Sequence, residues 1–300
     1  MIASTFLILF AMGYPEYSSK KSKRMYSDHA KIGLLALMEY LDKSFAEFTR
    51  ILPSLESVIR ISGITDIPEE STLRKFRRRL DPEILDKVIA YQSSMVIGNS
   101  ETTIGIDATG FPSTHASRYY VMRLKQMGTE NSVVRGFTKA TFATCVHTKV
   151  LLAVDADDSR TADIKRLEPV VDKLAASGQV IKYVLADKGY DAEYAHIMIR
   201  ERLDAEAIIP VRDAPKKESV YRTTGVNRSR MKREMKEGTE TSERYRMRPI
   251  SETANSMVKC VLGEILNGRD PKARHSELMF KCVAHNFRIG MKYRNSGMFV

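Results

Sequence analysis

The chain has 300 residues, enough for two domains with substantial cores, and 43% of them are hydrophobic. This composition is ordinary for a soluble globular protein, and no segment is apolar over the length of a membrane span, so a membrane-spanning protein is excluded. The sequence has 48 Lys and Arg against 37 Asp and Glu, a formal net charge of +11. That surplus favours an anionic partner, although proteins that bind no nucleic acid also show such a bias.

The cysteines indicate the redox environment. Cys145, Cys260 and Cys282 are widely spaced and have none of the paired spacing of a zinc site. Two of them fall in apolar strand or helix contexts, so we expect small core residues there. An odd number of cysteines without a disulfide framework predicts a reducing, cytoplasmic location.

An apolar stretch opens the sequence at residues 1–13. It is shorter than the roughly 18 to 20 residues of a membrane span, and no basic residue precedes it as in a signal peptide. Three interpretations stay open: a packed strand, a disordered tag and an upstream start-site artefact. We therefore treat residues 1–25 as an N-terminal tail of uncertain role.

Residues 26–98 are predicted to form an all-helical domain. Helices are expected over residues 32–41, 45–52 and 55–61, and a further helix begins near Glu70. On this last helix Leu73, Phe76 and Leu80 form an apolar stripe. The remaining positions are basic and are expected to face outward: Arg74, Lys75, Arg77, Arg78 and Arg79.

The third and fourth of these helices suggest a DNA-binding unit. A helix, a turn at Gly63 and a basic helix are the parts of a helix-turn-helix motif. The residues expected to contact DNA are Arg74, Lys75, Arg77 and Arg78. A solvated basic face or a dimer surface explains the same pattern about as well.

After a helix that begins at Pro82 and a linker at residues 97–101, the pattern becomes α/β. A strand ends at Asp107 with a turn signal behind it, and a second strand ends at Asp187. The other elements expected between and after these strands are a hairpin at 141–147 and 150–154, a helix at 161–176, a helix at 192–203 and a strand at 205–209. This order is that of a ribonuclease-H-like fold, a mixed sheet flanked by helices.

Both aspartates are therefore expected where a buried strand emerges. Taken alone, Asp107 or Asp187 is as well explained as a turn or cap residue. Together with a third acid, Glu252, they could hold hard divalent cations through oxygen ligands.

A basic segment follows at residues 212–248, with twelve Lys or Arg against six Asp or Glu. A basic loop or small helical insertion beside a site is suited to the backbone of a nucleic acid, because each neutralised phosphate releases counterions. A mobile, solvated insertion without a partner is the alternative.

The most informative segment comes next. Tyr245, Arg248, Glu252 and Lys259 are separated by two, three and six residues. Pro249 is typical of a first helical position, so Glu252 and Lys259 are expected on nearly the same helix face. Arg248, just before the proline, is expected to be extended and to stand at the mouth of the helix. A solvated helix face of mixed charge is the alternative interpretation.

With these residues identified, the chain resembles the DDE transposases of prokaryotic insertion sequences, in the group marked by a Y-R-E-K signature. The resemblance covers roughly residues 27–290, and only the apolar start matches nothing in the family. The matching residues are Asp107 in DATG, Asp187 in DKGYD, and the set Tyr245, Arg248, Glu252 and Lys259.

The resemblance implies a ribonuclease-H-like catalytic domain over residues 99–300, with the basic insertion inside it. Asp107, Asp187 and Glu252 would bind two Mg²⁺ (or Mn²⁺) ions, and would catalyse cleavage at the element ends and joining of the 3′-hydroxyl to target DNA. The expected partner is double-stranded DNA, bound by a homodimer in the active complex. The residues implied to grip the DNA near the scissile phosphate are Tyr245, Arg248 and Lys259.

Other functions remain open at this point. A ribonuclease-H-like nuclease without strand transfer would use the same three acids, and a non-catalytic DNA-binding derivative would need only the basic surface. A different ion site is less favoured, because its acids lie on one short polar turn and are expected to cap the following helix. These acids are Asp155, Asp157, Asp158 and Asp163.

Overall fold

The structure, a computed structural model, describes residues 1–18, 23–113, 137–158, 161–212 and 225–295. It begins with a group of helices and continues with a five-stranded sheet flanked by further helices, which confirms the predicted fold class. The first helices are α1 (Ile2–Ala11), α2 (Asp28–Tyr40), α3 (Phe45–Ile51), α4 (Glu56–Ser62), α5 (Glu70–Arg79) and α6 (Pro82–Ile97). The strands are β1 (Thr102–Pro112), β2 (Phe137–Cys145), β3 (Leu151–Asp157), β4 (Ile181–Ala186) and β5 (Glu206–Ile208). The later helices are α7 (Leu167–Ala176), α8 (Glu193–Leu203), α9 (Val226–Glu237), α10 (Glu240–Tyr245), α11 (Pro249–Leu262) and α12 (Pro271–Asn295).

The apolar N-terminal stretch is a helix, so the packed strand considered for it is wrong. A continuous apolar run does not distinguish a strand from a helix by its period, and here the run buries Ile2, Ile8 and Leu9 as a helix. Gly33 on α2 allows the approach, because a Cβ there would lie 3.3 Å from Ile2 Cγ2. Residues 2–11 are therefore part of the N-terminal core. Among the helices in the described ranges, none has the length and apolar character needed to cross a bilayer.

The other N-terminal helices lie where the sequence predicted them. Helix α4 ends at Gly63, whose φ of 65° is left-handed and favours glycine. Helix α5 begins at Glu70 and buries Leu73 and Phe76, and Leu80, the residue after its last turn, is buried with them. The predicted boundary near residue 98 stays a prediction, since one hydrophobic cluster contains residues from these helices, the sheet and α12.

The sheet has the strand order β3-β2-β1-β4-β5. The predicted hairpin is confirmed: β2 and β3 pair in antiparallel fashion, and Lys149 in their turn has a φ of 67°. Strand β1 pairs antiparallel with β2 and parallel with β4, and β4 pairs parallel with β5. The change of direction at β1 makes it the central strand of a mixed sheet.

Strand β1 continues past the predicted turn. The expectation that it ends at Asp107 is wrong, because the antiparallel ladder with β2 holds Gly110 opposite Lys139 and runs on to Pro112. The parallel pairing with β4 does stop early, at Ile106 and Ala186. Asp107 therefore lies just past the end of the parallel ladder with β4 and inside the antiparallel ladder with β2.

Helix α12 joins the N-terminal helices to the edge of the sheet. The Asn286 amide oxygen accepts from the Leu151 N–H at 2.8 Å, and its nitrogen donates to the Leu151 carbonyl at 2.8 Å. The same nitrogen lies 3.5 Å from the Ile89 carbonyl of α6. One buried side chain thus satisfies backbone groups of the edge strand β3 as a neighbouring strand would.

Candidate active site

Asp107 and Asp187 lie side by side because β1 and β4 are parallel and in register. Their last pair is Ile106 with Ala186, so the next residue on each strand is an acid. Asp187 then leaves the sheet and caps a 3₁₀ turn, with its Oδ1 accepting from the Gly189 N–H at 2.7 Å. The cap interpretation of Asp187 is thus correct, and it coexists with a place beside Asp107.

Helix α11 brings the third acid to this point. It begins at Pro249 and is followed by Gly263, as predicted. The helix packs closely on β1, since a Cβ on Gly105 would lie only 2.9 Å from Ser251 Cβ. Side chains two apart on a strand share a face, so Asp107 projects toward the same first turn of α11 that carries Glu252.

One guanidinium joins the three acids. Arg248 Nη1 donates to Glu252 Oε1 at 2.6 Å and Nη2 donates to Asp107 Oδ1 at 3.1 Å. Nη2 also lies 3.9 Å from Asp187 Oδ2. The structure therefore gathers the three predicted acids around a single cation.

Arg248 itself differs from the prediction, because its backbone is helical (φ −53°, ψ −41°) and not extended. Its N–H donates to the Tyr245 carbonyl at 2.9 Å, and its carbonyl accepts from the Ser251 N–H at 3.0 Å. These turn hydrogen bonds between α10 and α11 override the preference of a residue before proline. Arg248 does stand at the mouth of the helix, as its N-cap residue, and its guanidinium lies on the three acids.

The electrostatics of the site follow from burial and from the cluster of charges. Burial raises the pKa of Asp107, the Arg248 charge opposes that rise, and the Glu252 and Asp187 charges add to it. Burial acts to lower the pKa of Arg248, but Asp107 and Glu252 hold it above its ordinary value. The site thus concentrates negative charge that attracts cations.

Asn255 belongs to the site although the sequence reasoning missed it. Its Nδ2 donates to Asp107 Oδ2 at 2.7 Å, and the residue is only 5% exposed. Asn255 lies three residues after Glu252, and residues at this spacing are neighbours on a helix. That spacing is the signal that could have found it.

The two other signature residues flank the acids. Tyr245 is half-buried against a small apolar cluster that includes Leu185, and burial raises its pKa. Lys259 Nζ lies 5.3 Å from the centroid of the Phe111 ring. Because Phe111 and Asp107 are four residues apart on β1, Lys259 lies farther along the same sheet face.

The chemistry of the acids fits a hard divalent cation. All three provide carboxylate oxygens, the ligand type that Mg²⁺ and Mn²⁺ prefer. In the structure the three carboxylates surround the Arg248 guanidinium, and within the described ranges no group of three or more His, Cys, Asp or Glu has the geometry of a metal site. The residues that could hold such an ion are Asp107, Asp187 and Glu252.

The four acids considered as a different ion site, at positions 155, 157, 158 and 163, are engaged in contacts with other side chains. The expectation that these acids cap the following helix is wrong, because its first 3₁₀ turn, Asp163–Arg166, begins without a side-chain cap. Three of the acids instead form salt bridges with Lys or Arg side chains of neighbouring elements. The pairs are Asp155 with Arg166, Asp158 with Arg274, and Asp163 with Lys139, while Asp157 accepts from the Thr161 hydroxyl.

The basic face of α5 is as predicted except at one position. Arg74, Lys75 and Arg78 are exposed. Arg77 is only 8% exposed, and the prediction that it faces outward is wrong. Because α5 packs between α2 and α12, Arg77 donates to Glu39 at 2.9 Å and lies 3.6 Å from Glu277.

The basic segment at 212–248 is folded where the structure describes it, and residues 213–224 lie outside the described ranges. Helix α9 packs on the sheet through Met231, and α10 packs against the same cluster through Tyr245. Some of the basic side chains stabilise the fold. Arg228, for example, donates two hydrogen bonds to the Asp191 carboxylate, each at 2.7 Å. The exposed basic residues of this segment include Lys232, Arg233, Lys236 and Arg246.

Comparison with known families agrees with this geometry. A family model described as the transposase DDE domain matches residues 98–287, which include Asp107, Asp187 and Glu252. No curated protein matches the sequence. The resemblance to DDE transposases is confirmed, while the Y-R-E-K group stays a prediction. Because the match spans well over half of the 300 residues, the chain belongs to the family of transposases with a DDE domain.

Proposed function

We propose that the protein is a DNA transposase of an insertion sequence, which cuts at the element ends and joins the 3′-hydroxyl to target DNA. Family membership gives the transposase function in general terms. The observation that supports the finer proposal is the arrangement of Asp107, Asp187 and Glu252 around one guanidinium. Three acids held close enough to perturb one another's pKa values are typical of functional sites.

In this proposal the three acids hold two Mg²⁺ or Mn²⁺ ions, in keeping with the general use of divalent cations by DDE transposases. When bound, such ions activate the attacking oxygen and stabilise the departing one. Asp107 provides the most rigid carboxylate, because it sits in the central strand and both of its oxygens accept hydrogen bonds. Glu252 and Asp187 are more exposed and can adjust.

The signature residues would then hold DNA. Once another cation balances the charge of the acids, Arg248 is able to donate two parallel hydrogen bonds to a phosphate. Lys259, farther along the same face, would act as a point charge on a neighbouring phosphate. Tyr245 would contact the strand through stacking or through its hydroxyl.

We also propose how double-stranded DNA approaches. The exposed basic residues of α9, together with Arg246 two residues before Arg248, would follow the backbone of an element end. Arg74, Lys75 and Arg78 on α5 would contact DNA as a second basic surface. Because an element has two ends, a homodimer would hold both in one complex.

The test is the substitution Asp107→Asn, which keeps the shape of the side chain and removes its charge. We expect cleavage of a duplex carrying an element end to fall by roughly 10³-fold or more, since several kcal/mol of transition-state stabilisation are lost. End binding in a gel-shift assay should be nearly unchanged. Asp172→Asn, at an exposed acid paired with Arg202, is the matched control.

Two outcomes would change the proposal. Preserved metal-dependent cleavage by Asp107→Asn would remove Asp107 from the catalytic site. The wild-type protein should also link a supplied 3′-hydroxyl end to target DNA. Cleavage without this joined product would make the protein a nuclease that does not transfer strands.

A further inference from the structure

Asp107 is held from both sides by residues that flank Glu252 along the chain. Arg248, four residues before Glu252, donates to Asp107 Oδ1 at 3.1 Å. Asn255, three residues after it, donates to Asp107 Oδ2 at 2.7 Å. An ionised carboxylate only accepts hydrogen bonds, so the Asn255 atom that faces it must be the amide nitrogen.

The rest of the Asn255 side chain is less well satisfied. Its Oδ1 is buried and has no hydrogen-bond partner among the residues described. A buried amide oxygen without a partner costs about 1–3 kcal/mol, and an apolar residue of the same size would avoid that cost. Unsatisfied groups of this kind are rare in folded proteins and are expected where function requires the other half of the side chain.

We infer that Asn255 is a positioning residue for the reaction proposed above, and that it fixes the Asp107 carboxylate in the orientation that binds the divalent cation. The inference rests on the proposed function. With Oδ2 held by the Asn255 amide, the carboxylate cannot rotate about its terminal bond when Arg248 leaves Oδ1. Oδ1 then stays directed at the position that Arg248 Nη2 occupied, next to Asp187, where the ion replaces the guanidinium.

A leucine substitution at position 255 distinguishes this positioning role from simple packing. Asn255 lies on α11 next to Ala254, and both are buried. If Asn255 only filled space under the helix, leucine, which has a similar volume, would replace it without effect on ion binding. If its N–H group orients Asp107, leucine would leave the fold intact and weaken the ion site.

The experiment measures Mn²⁺ binding to the full chain by electron paramagnetic resonance, without DNA. We expect Asn255→Leu to bind Mn²⁺ about 10–100-fold more weakly than the wild type, as is usual when a group that orients a metal ligand is removed. Ser256→Ala, at the exposed neighbouring position, should bind like the wild type. Thermal unfolding verifies that each variant is folded. If Asn255→Leu does not fold, Asn255→Ala takes its place, because the smaller side chain leaves room for water.

The outcomes are distinct. Wild-type Mn²⁺ affinity in a folded Asn255 variant would overturn the inference and leave the proposed function intact. Equal Mn²⁺ binding by the wild type and Asp107→Asn would instead overturn the ion site itself. Weak binding by the Asn255 variant, with an unchanged unfolding midpoint, is the result expected from a positioning role.

Discussion

Replacing Arg248 by glutamine is expected to destabilise the protein when no divalent cation is present. The guanidinium donates to Glu252 at 2.6 Å and to Asp107 at 3.1 Å, and it lies 3.9 Å from Asp187. Glutamine keeps part of the packing but carries no charge. Three carboxylates would then face one another without compensation.

The magnitude follows from how deeply each contact is buried. Removing one partner of a fully buried ion pair costs about 3–5 kcal/mol, whereas an exposed pair contributes about 1 kcal/mol or less. The side chains of Arg248 and Asp107 are 17% and 15% exposed, but that of Glu252 is 53% exposed. The Asp107 contact therefore lies between the two limits and the Glu252 contact adds little. We expect a loss of about 2 kcal/mol in the free energy of unfolding.

The loss should depend on pH in one direction. Burial already raises the pKa of Asp107 and Arg248 opposes the rise, so the pKa of Asp107 is higher still in the variant. A carboxyl group with a raised folded pKa destabilises the protein above that pKa, and stability returns as the pH falls toward the ordinary value of 3.8. The difference between wild type and Arg248→Gln is therefore largest at neutral pH and disappears in acid.

The assay is urea unfolding in EDTA at neutral and acidic pH. The control is Arg246→Gln, an exposed arginine two residues away, which should change stability by no more than about 0.5 kcal/mol. Adding Mn²⁺ should reduce the deficit of Arg248→Gln, since a cation replaces the lost charge. An equal loss at both pH values, or no loss at all, would refute the role of Arg248 as the charge that holds the acids together.

Two further predictions concern α5. Arg77→Met leaves two buried glutamates, Glu39 and Glu277, without their closest cation. Urea unfolding at neutral pH should therefore show that the free energy of unfolding falls by about 3–5 kcal/mol, and a decrease below about 1 kcal/mol would contradict the buried ion pair. Lys75→Ala, at an exposed position, should leave stability within about 0.5 kcal/mol. If Lys75 contacts a phosphate, the slope of log affinity against log salt concentration should be smaller in magnitude by about 1 in Lys75→Ala. An unchanged slope would exclude that contact.

Local signals in the sequence predicted much of the fold. Gly63 and Pro249 mark the ends of helices because their backbone preferences act over one or two residues. The turn signal at Gly110 failed, because pairing with β2 carries β1 through it. A ladder formed with a distant strand outweighs the preference of a single glycine.

The candidate site also has features that local sequence signals predict and features that depend on tertiary packing. The sequence predicted Asp107 and Asp187 from their places in strands, and register then makes them neighbours. It could not predict that Arg77 falls between two glutamates, since this depends on how α5 packs against α2 and α12. The orientation of Arg248 likewise depends on the turn that joins α10 to α11.

The position of Arg248 has a consequence for how ions and DNA bind. One guanidinium cannot both contact the acids and grip a phosphate, so in the proposed function these two states exclude each other. A cation that balances the acids releases Arg248 for DNA, and a phosphate that takes Arg248 leaves the acids in need of a cation. By linkage, each ligand should then raise the affinity of the other, by 5- to 150-fold for a typical coupling of about 1–3 kcal/mol. Mn²⁺ titrations with and without a duplex end would measure this factor. The coupling should be lost in Arg248→Gln, and a coupling that survives there would place its origin elsewhere in the site.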